Sequence, residues 1–182
     1  MPVRVLVTGR PGVGKTTLVE RVVRRLTRPV RGFITREVRR AGRRMGFVVE
    51  TFSGRRAWLA RVGREGRFRV GRYRVDLDAF EEVVLPELDL SDAARETLVV
   101  LDEIGPMELF SNAFRQALRR IFDGPWDVLA TVVQRPHPFA DALKARPDVV
   151  LLTVTRENRE ALVEEVARRL SRAASSSARG TA

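Results

Sequence analysis

A glycine-rich stretch near the start of the chain constrains the fold more than any other part of the sequence. Positions 9–16, which read GRPGVGKT, match the pattern G-x-x-x-x-G-K-[ST]. The β-branched run Val3–Thr8 directly before it is typical of a buried strand. From Lys15 to Leu26, apolar residues recur at helical spacing. The sequence therefore predicts a strand, a glycine loop and a helix in direct succession, which is a building unit of α/β folds.

Each residue type in this loop suits a polyphosphate ligand. Glycines let backbone N–H groups approach phosphate oxygens, and the helix directs the positive end of its dipole at the anion. Lys15 is suited to contact the β- and γ-phosphates, and the Thr16 hydroxyl is suited to bind Mg²⁺. Only Lys15 and Lys144 are lysines among 34 basic residues. A lysine at position 15 supports this interpretation, because a planar guanidinium would not fit the loop.

Composition excludes several classes of protein. The 182 residues are 44% hydrophobic, which is enough for a sizeable core and excludes wholesale disorder. Cysteine is absent and His137 is the single histidine, so disulfides, thiolate metal sites and multi-histidine metal sites are excluded. No stretch approaches the ~20 apolar residues of a membrane span, and the N-terminus lacks a signal-peptide core. We therefore expect a cytoplasmic protein that does not bind membranes.

The order of predicted elements indicates the fold class. After the glycine loop, strands alternate with helices, and the apolar run Thr97–Leu101 is typical of a strand buried on both faces. Asp76 and Ser111 are predicted to cap helices. Such alternation predicts an α/β fold, with a mostly parallel sheet flanked by helices. Residues 1–171 are expected to form one domain, and the small polar residues 172–182 a flexible tail.

One region departs from this alternation. Between about residues 30 and 75, short β-rich runs are separated by glycines and arginine clusters. This pattern predicts a meander of antiparallel hairpins inserted into the α/β domain.

Two adjacent carboxylates end the apolar run at Leu101. An acid at the end of a buried parallel strand near the loop can hold the Mg²⁺ shell, and we assign this role to Asp102. Glu103 can then polarise a water in line with the γ-phosphate. Successive side chains at a strand end point in different directions, so the two acids can have separate tasks. Glu103 favours hydrolysis over phosphoryl transfer, since a small-molecule kinase must exclude water.

With these motifs, the chain resembles the nucleoside-triphosphatase family first described from thermophiles, which includes the cancer-related nucleoside-triphosphatase. The resemblance extends from about Arg4 to Leu170. Its segments beside the glycine loop are GFITREVR (32–39), GFVV (46–49), VGRYRVD (70–76), DEIGPMELF (102–110) and VTRENR (154–159). The resemblance implies a P-loop NTPase fold of the RecA-like, additional-strand type. It also implies Mg²⁺-dependent hydrolysis of several nucleoside triphosphates, such as ATP and GTP.

The family's nucleotide-binding stretches map onto two segments of this chain. The first consists of Gly9, Arg10, Pro11, Gly12, Val13, Gly14, Lys15 and Thr16. The second consists of Leu98, Val99, Val100, Leu101, Asp102, Glu103, Ile104 and Gly105. Many family members carry a lysine after DEIG, whereas this chain has Pro106. A phosphate contact by that lysine is therefore absent here or made by another base.

Other residues are weaker candidates. Arg135 follows a predicted strand and is a candidate to offset transition-state charge, although a solvated loop arginine explains it as well. Arg156 and Asn158, with Arg159, follow the last strand, where such folds often bind the base; they can equally cap the final helix. Trp58, Trp126 and His137 are expected to serve packing or loop structure, and Glu108 to support its neighbours.

Alternative functions remain open from the sequence. A nucleotide, nucleoside or polynucleotide kinase would transfer the γ-phosphate to an acceptor instead of water. A nucleic-acid-stimulated ATPase would use the arginine clusters between Arg36 and Arg56. The use of arginine throughout the chain explains those clusters without a nucleic acid, and aromatic residues are not interleaved among them. Nucleic acid is therefore not favoured as a partner, and we expect a monomer whose base preference the sequence does not reveal.

Overall fold

The structure is a computed structural model that describes residues 1–177, in which nine strands and five α-helices form. The strands are β1 (Arg4–Thr8), β2 (Val30–Arg40), β3 (Arg43–Thr51), β4 (Arg56–Arg61), β5 (Phe68–Val70), β6 (Tyr73–Val75), β7 (Leu98–Ile104), β8 (Asp127–Val132) and β9 (Val149–Thr153). The α-helices are α1 (Lys15–Arg24), α2 (Leu77–Glu87), α3 (Asn112–Asp123), α4 (Pro138–Lys144) and α5 (Arg159–Ser177). A short 3₁₀ helix covers Glu108–Phe110.

All nine strands belong to one sheet, in the order β5-β6-β4-β3-β2-β7-β8-β1-β9. The five strands β2, β7, β8, β1 and β9 pair in parallel. Strand β8 therefore lies between β1, which leads into the glycine loop, and β7, which ends in the two carboxylates. This is the additional strand that the family resemblance implies. The predicted α/β P-loop fold is confirmed.

The predicted antiparallel hairpins form the other half of the sheet. Strands β3, β4, β6 and β5 follow β2 in order, and each pairs antiparallel with its neighbour. One detail differs from the prediction. Strand β2, at the start of the predicted insertion, also pairs in parallel with β7, with Val30 opposite Leu98. Its 11 residues are long enough to belong to both halves.

Helices cover both faces of the parallel half. On one face, α1 and α5 pack against residues of β1, β7 and β8 such as Val5, Leu98 and Leu129. On the other face, α2, α3 and α4 pack against their alternating neighbours, including Val99 and Ala130. This alternation follows from the period of two along a strand. The carboxyl ends of the buried strands are thereby fixed in position.

Local signals at the helix ends act as predicted. The Asp76 carboxylate accepts a 3.1 Å hydrogen bond from the Ala79 N–H, and the Ser111 hydroxyl accepts one of 3.0 Å from the Phe114 N–H. Helix α5 continues to Ser177, so the first part of the predicted tail is helical, while positions 178–182 lie outside the described residues. Among the helices of residues 1–177, none combines the length and apolarity that a bilayer crossing requires.

Candidate active site

The glycine loop connects β1 to α1 in a tight turn. Gly14 occupies the position before the helix with φ of 108°, in the left-handed region that favours glycine. A side chain at Gly9 would meet the Val154 carbonyl oxygen at 2.8 Å. The loop therefore packs directly against the residue that follows β9. These two glycines are required by the backbone path itself.

Lys15 lies across this loop. Its Nζ donates hydrogen bonds to the carbonyl oxygens of Gly9 at 2.8 Å and Arg10 at 3.1 Å. The ammonium group is thus held over the loop by its own backbone. It lines a cleft of about 700 Å³ that also contains Thr16, Asp102 and Glu103. The structure brings together the two halves of the predicted site.

Asp102 is fixed by three threonines from three elements. Its Oδ2 accepts a 2.8 Å hydrogen bond from the Thr16 hydroxyl at the start of α1. Its Oδ1 accepts one of 2.6 Å from the Thr131 hydroxyl on β8, the strand between β1 and β7. The Thr35 hydroxyl of β2 donates to the Asp102 carbonyl oxygen at 2.6 Å. The carboxylate therefore has one orientation, with one oxygen toward the loop.

The chemistry of this pair suits a magnesium ion. Asp102 is 2% exposed, and burial raises the pKa of its carboxyl, while hydrogen bonds from Thr131, Thr16 and Thr35 and the charge of Lys15 act in the opposite direction. Mg²⁺ is usually bound through one or two carboxylates together with water and substrate phosphates. The Thr16 hydroxyl and the Asp102 carboxylate provide such oxygen ligands side by side.

Glu103 differs from Asp102 in its surroundings. It is half-buried in the wall of the cleft, and within residues 1–177 its carboxylate accepts no hydrogen bond. Burial raises its pKa, Lys15 lowers it, and the Asp102 charge raises it further. An unpaired carboxylate in the cleft is free to accept a proton from a bound water.

Glu108 lies behind Glu103. It is 4% exposed, and its Oε2 accepts a 3.2 Å hydrogen bond from the Gly105 N–H. A Cβ on Gly105 would lie 2.6 Å from Glu103 Oε1 and 3.0 Å from Glu108 Oε2. Burial, followed by the charge of Glu103, raises the pKa of Glu108 well above its usual range. Glu108 thus supports the turn after β7, as the sequence predicts, and Gly105 leaves room for both carboxylates.

The β7 stretch that the family resemblance assigns to nucleotide binding contains both buried and cleft-lining side chains. Five of the residues assigned to nucleotide binding have no exposed surface and lie in the core: Leu98, Val99, Val100, Leu101 and Ile104. An apolar side chain buried between two helix layers cannot contact a ligand in the cleft. From this strand only Asp102 and Glu103 line the cleft. The apolar residues act indirectly, since they fix the position of the two acids.

The opposite wall of the cleft comes from β2 and β3. Arg36 forms ion pairs with Glu20 and with Glu50, the latter at 2.9 Å. Arg44 lies 2.9 Å from Glu37, and its buried Nε has no hydrogen-bond partner in the described part of the chain. Pro106 lines the same cleft and provides no charge there.

Four residues of this site were not predicted from the sequence. Thr35 and Thr131 hold Asp102, and Arg36 and Arg44 line the cleft. A signal existed for Thr131, since it is a polar residue inside the apolar run of β8 and is completely buried. No comparable signal distinguishes the two arginines from the others in a chain with so many.

The weaker candidates lie outside this cleft. Arg135 is exposed in the loop after β8 and has no hydrogen bond or ion pair among residues 1–177. Asn158 structures its own loop, because its Oδ1 accepts from the Thr155 N–H at 2.7 Å and its Nδ2 donates to the Thr153 carbonyl oxygen at 2.9 Å. Arg156 is exposed beside it. In this group Arg159 lies nearest the loop, with Nη1 3.7 Å from a Cβ built on Gly14.

Comparison with known proteins agrees with this geometry. The family described as NTPase matches residues 4–167. The nucleoside-triphosphatase THEP1 of Thermotoga sp. is 40% identical over 163 residues, which cover 90% of this chain and 92% of that protein. The human cancer-related nucleoside-triphosphatase is 42% identical over 177 residues, which cover 89% of this chain and 93% of that protein.

A solved structure supports the same relationship. The crystal structure of THEP1 from the hyperthermophile Aquifex aeolicus superposes with a TM-score of 0.85 at 37% identity, over 92% of this chain and 99% of that chain. The shared fold, the glycine loop and the acids that end β7 agree with the family match. The chain therefore belongs to the NTPase family.

Proposed function

We propose that this chain is a nucleoside-triphosphate phosphohydrolase that uses Mg²⁺. The 2.8 Å hydrogen bond between Thr16 Oγ1 and Asp102 Oδ2, in the same cleft as Lys15 and the unpaired Glu103, carries this proposal. The names of its relatives point to the same activity, since both THEP1 and the cancer-related protein are called nucleoside-triphosphatases. Substrate, metal and catalytic base then have separate places in one cleft.

Different residues of the cleft bind the phosphates, hold the metal ion and accept the proton. The N–H groups of the glycine loop and the Lys15 ammonium bind the β- and γ-phosphates. When bound between Thr16 and Asp102, Mg²⁺ would neutralise charge on the phosphate oxygens. Glu103 accepts a proton from a water whose oxygen attacks the γ-phosphorus, while the bond to the β–γ bridging oxygen breaks. The products are the nucleoside diphosphate and inorganic phosphate.

A further cation is available on the opposite wall. Charge that develops on the phosphoryl group is stabilised in such sites by a positive side chain besides the loop lysine. Pro106 cannot provide one, whereas Arg44 lines the cleft, with its guanidinium beside Glu37. We assign this role to Arg44 ahead of Arg135, because Arg135 does not line the cleft.

Phosphate release from ATP, GTP, CTP and UTP, with and without Mg²⁺, tests this function. We expect Mg²⁺-dependent release of inorganic phosphate without any added acceptor. Glu103→Gln should slow turnover by about 10²-fold or more while nucleotide affinity is largely kept. The exposed Glu65→Gln is the matched control and should behave as the unaltered chain. Transfer of a labelled γ-phosphate to an added nucleoside or polynucleotide, instead of to water, would contradict the proposal.

A further inference from the structure

The antiparallel half of the sheet carries an unusual concentration of positive charge. Residues 55–75 contain eight arginines and one glutamate, and so hold +7 of the formal net charge of +11. Within residues 1–177, carboxylates pair with three of these arginines: Arg55, Arg56 and Arg64. The other five have no ion pair in that part of the chain. Most of the charge on this surface is therefore uncompensated by the protein.

Three of the unpaired arginines form a row across three strands. Arg74 of β6 lies directly opposite Arg61 of β4 on one side and opposite Arg69 of β5 on the other. Residues directly opposite share one face of a sheet, so all three belong to the same face. With strands about 4.8 Å apart, the row spans about 10 Å.

This row faces away from the core. On the opposite face, Val75 lies between Ala60 and Phe68 in the register, and it packs in the same apolar cluster as Phe80 of α2. Like charges directly opposite in a sheet are destabilising. Where Arg39 lies opposite Arg44 in the β2–β3 hairpin, both arginines pair with Glu37, whereas the row has no carboxylate partner within residues 1–177. An anionic partner would remove the repulsion within the row.

An aromatic residue adjoins the row. The Arg61 guanidinium lies over the ring of Trp58, 5.0 Å from its centroid. Arg72 also lies over Tyr73 at 5.4 Å and Arg67 over Phe68 at 5.5 Å, but these two rings pack against the core on the opposite face. Trp58 and Arg61 are three positions apart on the same strand, β4. Flat guanidinium and aromatic surfaces are those on which unpaired bases stack.

We propose that the face of β4, β6 and β5 that carries Arg61, Arg74 and Arg69 binds single-stranded nucleic acid. Over about 10 Å a single strand presents roughly three phosphates, which matches the row of three cations. Bases of a single strand can stack beside Trp58 and Arg61, whereas the bases of a duplex are already stacked on each other. The face lies outside the cleft, so this binding is separate from nucleotide hydrolysis.

Fluorescence anisotropy with labelled oligothymidylate and oligouridylate, across a salt series, tests the proposal. The test variant is the full chain with Arg61→Gln, Arg69→Gln and Arg74→Gln. The control is Arg24→Gln, Arg95→Gln and Arg168→Gln, which removes the same charge at three exposed arginines on α1, a loop and α5. We expect the test variant to bind at least about 10-fold more weakly and the control less than about 2-fold.

The salt dependence adds a second readout. Loss of three phosphate contacts should reduce the slope of log affinity against log salt by about 2, since each contributes about 0.7 on a single strand. In the double variant Arg69→Gln and Arg74→Gln, Arg61 stays on Trp58. Its salt slope should fall by about two thirds of that amount. Phosphate release from ATP by all three variants should be unchanged, which separates this binding from the catalytic function.

Three results would overturn the proposal. One is equal weakening by the test and control variants, which would indicate general charge attraction. Another is the absence of oligonucleotide binding at low salt. The third is tighter binding to duplex DNA, or to phosphatidylserine vesicles, than to the single strands.

Discussion

The hydroxyl of Thr16 and the carboxylate of Asp102 meet at 2.8 Å although 86 positions separate them in the chain. One follows β1 and the other ends β7, and the strand between them contributes Thr131, which holds the second Asp102 oxygen at 2.6 Å. Thr16 and Asp102 are the residues that would hold a nucleotide-bound metal ion.

Thr131 should matter although it does not line the cleft. Thr131→Val keeps the shape of the side chain but leaves Asp102 Oδ1 buried without a donor, at a cost of about 1–3 kcal/mol in the free energy of unfolding. Loss of such a supporting hydrogen bond should also raise the Mg²⁺ concentration needed for phosphate release by roughly 10-fold or more. Thr131→Ser should restore both. Unchanged stability and unchanged Mg²⁺ dependence in Thr131→Val would contradict this role.

Gly105 should be required for turnover more than for folding. A Cβ at this position would lie 2.6 Å from Glu103 Oε1, so Gly105→Ala must displace the Glu103 carboxylate. We expect a reduction of kcat by about 10²-fold, with little change in the melting temperature. Gly66→Ala is the control, because its Cβ would meet the Arg74 Cβ at an ordinary 3.8 Å. Equal kcat values for the two variants would show that turnover does not depend on the position of the Glu103 carboxylate.

Arg44 should contribute to the chemical step. Arg44→Ala removes a cation from the cleft wall, and we expect kcat to fall by roughly 10-fold or more with a smaller change in KM. The neighbouring Arg43 is exposed and does not line the cleft, so Arg43→Ala is the matched control. If both variants retain full activity, the additional cation must come from another residue or another chain.

Acid should remove the contribution that Asp148, just before β9, makes to the free energy of unfolding. Hydrogen bonding from Arg146 lowers the pKa of Asp148, and Arg4 lies 2.9 Å from the same carboxylate. A carboxyl whose pKa is lower in the folded state stabilises the fold above its unfolded pKa, near pH 4, and loses that effect as the pH falls further. The difference in unfolding free energy between the unaltered chain and Asp148→Asn should therefore be constant at neutral pH and shrink below about pH 4. Urea titrations at several pH values measure it, and a difference independent of pH would contradict the assignment.

Much of this site was predictable from the sequence because short segments determine it. The glycine loop, Lys15, Thr16, Asp102 and Glu103 are local patterns at a strand end, and each lies where the pattern predicts. The caps at Asp76 and Ser111 are equally local. Such features depend on neighbouring residues in the chain, so periodicity and residue type are sufficient to find them.

Features that depend on sheet register were not predictable. The opposition of Arg61, Arg74 and Arg69 results from pairing across three strands, and spacing along the chain does not reveal it. Arg44 lines the cleft because the β2–β3 hairpin places it beside the site, although its sequence context resembles that of Arg43. Burial within the family stretch was not readable for a related reason, since the sequence does not reveal that the side chains of Leu98–Leu101 lie in the core while Asp102 and Glu103 line the cleft.

Electron paramagnetic resonance of Mn²⁺, used as a substitute for Mg²⁺ with a non-hydrolysable ATP analogue, tests whether Thr16 and Asp102 hold one metal ion. We expect Thr16→Val and Asp102→Asn each to weaken binding of the metal–nucleotide complex by roughly 10-fold or more, while Glu103→Gln binds it as the unaltered chain does. Unchanged metal binding by Asp102→Asn would show that the carboxylate ending β7 and the hydroxyl after the glycine loop do not hold the same ion.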